Sequence, residues 1–183
     1  MEKKSTFWTT AMIYGLYIGI FLTLYSVILY VAGQTQNKSL GYISIPLYAI
    51  CIVLAQIYYR NRELNGAISY GQAVGFGVAV MLFSGIISAL YTLIIFKIDP
   101  GLVEQMKTMQ EEAMLQKGMS EDQIEAALSI SAKMMTPGWM SIIGLLSSVF
   151  MGTIISLVSS IFIRKQSNDN AFGEAMEEVK SEE

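Results

Sequence analysis

The sequence predicts an all-α fold, an integral membrane bundle of four transmembrane helices with a helical extracytoplasmic loop between spans three and four. Three observations predict it. Residues 5–37, 39–59, 64–96 and 134–163 carry no charged side chain. Each holds a segment that meets the roughly 20 apolar residues needed to cross a hydrocarbon core about 30 Å thick. Hydrophobic residues make up 53% of the chain and charged residues only 15%, against about 25% charged in a soluble domain. Lastly, the charged segment between the third and fourth stretches is too long for a plain connector and carries helix start and stop signals. In 183 residues there is room for one four-span domain, 1–165, and a tail, 166–183.

Span one is placed at 8–32, about 37 Å long and therefore tilted. Lys3 and Lys4 precede it and Val31-Ala32-Gly33 resembles a cleavage site, but a signal peptide has an apolar region of only about 7–15 residues. The expectation is a retained helix. Span two fits 40–59. Pro46 at its first position would leave about 21 Å before Arg60, too short to cross, so this proline is read as interior, where membrane helices tolerate it. Spans three and four fit 73–96 and 139–163, the latter introduced by Pro137-Gly138.

The loop, 97–138, reads as two helices. Asp99 is placed as cap of the first, Pro100 at its first position, and Gly118 ends it. Leu102, Met106, Met109 and Ala113 form its apolar stripe. Ser120 and Gln123 make a capping box for the second, whose stripe is Ile124, Ala127, Leu128 and Ser131. The pair carries Asp99, Glu104, Glu111, Glu112, Glu121, Asp122 and Glu125 against four lysines, the wrong sign for gripping anionic lipid. Two readings follow: a lid on its own bundle, or a docking site for a partner protein through Leu102, Met106, Met109, Ile124 and Leu128. The tail holds six acids and one lysine and is expected to be an acidic, disordered cytoplasmic segment. Phe172, Met176 and Val179 are spaced for a short helix on a partner.

Basic residues orient the spans. Four crossings put both termini on one side, with Lys3, Lys4, Arg60, Arg62, Arg164, Lys165 and Lys180; the other side has Lys38, Lys97, Lys107, Lys117 and Lys133. All three arginines fall on the first side, so both termini are expected in the cytoplasm. Trp8, Tyr30, Tyr42, Tyr58, Tyr59 and Trp139 stand near span ends, where amphipathic rings favour the headgroup level.

Helices associate in lipid through close backbone approach at small residues. The candidates are Gly15 and Gly19 in span one, Gly71 and Gly75 (with Ala67 and Ala79) and then Gly85 with Ala89 in span three, and Gly144, Ser148, Gly152, Ser156 and Ser160 in span four. They read first as packing seams and second as a subunit contact in a homo-oligomer.

Several kinds of chemistry find no residues. Histidine is absent, which removes histidine-based triads; no zinc ligand set exists, and no glycine loop leads into Lys-Ser or Lys-Thr. Cys51 sits between Ile50 and Ile52 and is expected to be inert. Met106, Met109, Met114 and Met119 read as apolar filler rather than a Cu(I) site. No cofactor and no enzymatic activity are expected. The net charge of −3 argues against a nucleic-acid partner. No span contains an ionisable Asp, Glu, Lys, Arg or His, which speaks against proton-coupled pumps and voltage sensors. A lining for a neutral solute is left to Gln56, Gln72, Ser84, Ser88 and the span tyrosines. The expected function is that of a non-enzymatic accessory or scaffold membrane protein acting through contacts; the alternative is a small oligomeric transporter or channel.

Four stretches carry a resemblance: Trp8 to Gly19, the run Arg62-Glu63-Leu64-Asn65-Gly66-Ala67-Ile68-Ser69-Tyr70-Gly71-Gln72-Ala73, the Ile98-Asp99-Pro100 corner, and the final span closing in Arg164-Lys165. Over about residues 5–165 the chain resembles a family of bacterial four-helix membrane proteins known as domain of unknown function 4199. The resemblance implies a multi-pass protein of the bacterial inner membrane and supplies no catalytic residue.

Overall fold

A computed structural model of the chain describes residues 2–35 and 37–165. Six helices follow one another: α1 Glu2–Val31, α2 Lys38–Glu63, α3 Tyr70–Ile98, α4 Gly101–Gln116, α5 Glu121–Met134 and α6 Pro137–Ile163. α1, α2, α3 and α6 are long and apolar enough to cross a membrane. All four begin before the spans placed from sequence, and α2 and α3 also run past their ends, while α1 stops one residue short at Val31 and α6 ends at Ile163 as placed. The acidic tail lies outside the described residues.

Local chemistry sets the boundaries. Gly33 leaves α1 in the left-handed region at φ 65°, while the Gln34 N–H reaches back to the Leu29 carbonyl (2.8 Å), the Schellman closure. Asn37 Oδ1 accepts from the Ser39 N–H (3.1 Å) to start α2, and Pro46 lies inside that helix. Ser120 and Gln123 form the expected capping box of α5. One cap shifts: Pro100, not Asp99, occupies the cap position of α4. The Asp99 carboxylate still closes the turn by accepting from the Gly101 N–H (3.0 Å).

α3 is the pillar. Its most extensive packing is with α6 and then α1, while α2 touches α1, α3 and α6 more lightly. Both main seams are places where a side chain would not fit. A Cβ on Gly15 would stand 2.7 Å from the Val80 carbonyl oxygen, and one on Gly19 would stand 2.8 Å from Ile87 Cβ. On the other flank, a Cβ on Gly152 would meet Met81 Cγ at 2.5 Å, one on Gly85 Leu145 Cδ1 at 2.8 Å, and one on Gly77 Gln56 Nε2 at 2.9 Å. Ser156 is fully buried and Ser148 half-buried in this α3–α6 seam.

Gly71, Gly75 and Gly144 stand apart from these seams, with open space around the position of an added Cβ. A four-residue interval advances about 400°, so such a ladder drifts some 40° per step and leaves the contact line. On α3 the close approach is made by Gly85, which the spacing singles out, and by Gly77, which it does not.

At the end carrying the termini, the core holds Ala11 of α1, Ala55 and Tyr59 of α2, Phe76 of α3 and Ile163 of α6. Tyr59 and Phe76 stack with centroids 4.1 Å apart, and Phe7 meets each edge-on at 5.8 Å. Tyr59 is thus a core residue, only 5% exposed, rather than a headgroup anchor. Two backbone hydrogen bonds then join Ile68, just before α3, to Lys165, just after α6 (2.9 and 3.1 Å). Arg60 adds a third tie by donating to the Ile163 carbonyl (3.1 Å).

Substituting leucine at Gly15 or Gly152 forces backbone or packed side chains apart and is expected to cost about 1–3 kcal/mol. Alanine at Gly75 or Gly144 is expected to be neutral, or to stabilise by up to about 1 kcal/mol through helix propensity. Thermal unfolding of the four variants in one detergent checks the contrast.

Candidate functional site

Three polar features are built on this frame. The first is a buried node around Gln56, which is 0% exposed. Its Nε2 donates to the Ala73 carbonyl of α3 (2.9 Å) and to Ser160 Oγ of α6 (3.3 Å). Its Oε1 accepts from Ser159 Oγ (2.7 Å). One uncharged amide therefore pins α2 against both α3 and α6, in a medium that offers no water to replace it. Gln72 has a different role: its Oε1 accepts from the Ser69 N–H (3.1 Å) and Ser69 Oγ from the Gln72 N–H, closing a capping box at the start of α3. With Gln72 engaged outside the helix ladder and Ser84 buried against α1, the three groups Gln72, Ser84 and Ser88 form no continuous lining.

The second feature lies at the opposite end, under α4. Asp99 accepts from the Tyr30 hydroxyl at the end of α1 (3.1 Å) and so ties the α3–α4 corner to α1. Leu102, 7% exposed, and half-buried Met106 turn inward from α4. With Ser26, Tyr30, Thr35, Tyr91 and Thr92 among their neighbours, they line a half-open chamber of about 330 Å³, near the lower limit for small-molecule sites. Thr92 and Ser26 donate back into their own helices, to the Ser88 and Leu22 carbonyls.

The third is a groove of about 680 Å³ between α4 and α5. Leu115, Ile124, Leu128 and Ala132 supply its apolar wall, and Glu111, Glu121 and Glu125 its rim. Lys107, at the same rim, pairs with Glu104 (3.2 Å). The five docking candidates divide accordingly. Leu102 and Met106 face the chamber, Ile124 and Leu128 face the groove, and half-buried Met109 lines neither. α4 thus turns Leu102 and Met106 toward the bundle and Lys107, Glu111 and Leu115 toward the groove with α5.

Sequence reasoning missed the Gln56 node as a unit, since its four members come from three helices. The Tyr30–Asp99 tie was also missed; the visible signal was a carboxylate at a helix corner facing an aromatic anchor.

Replacing Gln56 by leucine takes away the shorter of the Ser159 hydroxyl's two acceptors, leaving only the Ser156 carbonyl (3.3 Å), and removes two donated bonds. The expected loss is about 1–3 kcal/mol of stability, read as a lowered thermal midpoint of the purified protein, with Gln56→Glu no better because it buries a charge.

The family described as Protein of unknown function (DUF4199) matches residues 13–165, which takes in α2 to α6 and most of α1. No curated protein and no solved structure matches the chain. With the matched region reaching into all four apolar helices and taking in the α4–α5 hairpin, the chain belongs to the family described as Protein of unknown function (DUF4199).

Proposed function

We propose that this protein is a non-enzymatic accessory or scaffold protein of the bacterial inner membrane, with both termini in the cytoplasm, that holds a partner protein at its α4–α5 hairpin. The observation that carries the reading is the groove: an apolar wall of Leu115, Ile124 and Leu128 under a rim of Glu111, Glu121 and Glu125. Its chemistry suits an amphipathic helix with lysines or arginines flanking an apolar stripe, the helix-in-groove mode of recognition. Rim carboxylates steer such a segment and set its register, and the apolar wall holds it. The span interior supports a structural role, since Gln56 bonds to Ser159, Ser160 and the Ala73 carbonyl and Ser141 Oγ donates across to the Ala89 carbonyl (3.2 Å). Arg60, Arg62, Arg164 and Lys165 gather at the termini end, which supports the orientation.

A second reading, a small oligomeric transporter or channel for a neutral solute, draws on the hydroxyl-lined chamber of about 330 Å³ under α4.

A photo-reactive residue at Leu128, expressed in the intact chain in its native membrane, tests the first reading. The expected product is a cross-link to a different protein through a basic, apolar-striped segment, reduced several-fold by Glu121→Lys with Glu125→Lys. Cross-links confined to lipid or to a second copy, or a product indifferent to charge reversal, overturn it. Solute flux through liposomes holding the purified protein then decides for the second reading.

A further inference from the structure

α1 and α2 each lean on α3 but touch one another only lightly. They leave a cleft of about 500 Å³ between them at the termini end. Toward the middle of the helices its wall is apolar, with Ile18, Cys51 and Leu54; its mouth is polar, with Tyr14 against Tyr58, and Asn61 and Arg62 beyond them. From Arg62 down to Cys51 the wall runs about 16 Å along the axis of α2. The cleft faces sideways: Leu54 is 61% and Tyr58 44% exposed, on a helix that crosses the membrane. It is thus open where acyl chains are, and polar where headgroups are.

The mouth is arranged for an anionic oxygen. Arg60 Nε donates to Asn61 Oδ1 (2.9 Å), which fixes the Asn61 amide and leaves its N–H groups turned away from that bond. Arg60 is itself held by the Ile163 carbonyl. Arg62 makes no ion pair among the described residues. Glu63 follows Arg62 at the end of α2, so the headgroup region carries both signs of charge, but the cation lining the cleft is Arg62.

We propose that this cleft is a binding site for one membrane glycerophospholipid, its phosphodiester held by the Arg62 guanidinium and the Asn61 amide and one acyl chain laid along Leu54 to Cys51. A phosphate offers guanidinium a paired hydrogen-bonding geometry, and basic pockets between membrane helices take lipid headgroups. A free phosphate gains nothing from the apolar wall, and a diacylglycerol gains nothing from Arg62.

The test is native mass spectrometry of the full chain released from micelles doped with dioleoyl phosphatidylglycerol, dioleoylglycerol or inorganic phosphate. The wild-type chain is expected to retain one phospholipid and neither of the other two. Arg62→Gln should lower phospholipid retention about tenfold, the loss of one charge-assisted contact. Leu54→Trp, which crowds the cleft at an exposed position, should lower it with Arg62 intact. Arg164→Gln, at the same end but outside the cleft, should leave it unchanged. Equal retention by Arg62→Gln, an equal loss in Arg164→Gln, or equal binding of dioleoylglycerol or phosphate would each overturn the proposal. A thermal midpoint for each variant separates lost binding from lost folding.

Discussion

The structure depends on how closely two backbones approach α3. In lipid the apolar side chains of a helix are as well solvated by acyl tails as by each other, so burial of leucine provides little net drive for assembly. Contact energy then comes from dispersion and weak polar contacts over surfaces that interdigitate without gaps. Gly15 and Gly19 let α1 settle on Val80, Ser84 and Ile87, and Gly152 accepts Met81 from the other flank. α3 is wedged between two partners for which it has no spare volume. α2, held by Gln56 and the Tyr59–Phe76 stack, fills a third side less completely.

The two ends of the bundle are closed differently. At the termini end, aromatic stacking, the Ile68–Lys165 bridge and Arg60 knit α1, α2, α3 and α6 into one block. At the hairpin end, Tyr30–Asp99 and the inward turn of Leu102 hold α4 over α1 and α3, while α5 packs on α4. The hairpin rests on a base closed by the Tyr30–Asp99 bond and buried Leu102, which under the proposed docking role would fix the groove's register before a partner arrives.

Much of this was legible in the chain. Four charge-free stretches locate four helices, and the pairing of Ser120 with Gln123 locates the start of α5. The seams were legible only in part. Small-residue spacing singles out Gly15, Gly19, Gly152 and Ser156, all of which meet α3 or lie against it. The same spacing singles out Gly71, Gly75 and Gly144, which face open space, because a four-step ladder precesses around its helix and sequence alone does not say where the neighbour begins. Gln56 and Gln72 are the same residue type in similar surroundings, yet one is a three-way tie and the other a cap. What separates them is the position of Ser69 three residues before Gln72 and of α6 opposite Gln56; only the first is local.

The short bridge between Ile68 and Lys165 has a mechanical consequence. It lies across the point where the chain leaves α6, so any force applied to residues beyond Lys165 reaches the entrance of α3 before it reaches α6 alone. The two hydrogen bonds are joined by the Arg60 contact to Ile163, so the load is shared among three helices. A pull on the trailing segment is thereby transmitted to the central pillar as a whole, and the last turn of α6 is shielded from being peeled out of the membrane one residue at a time.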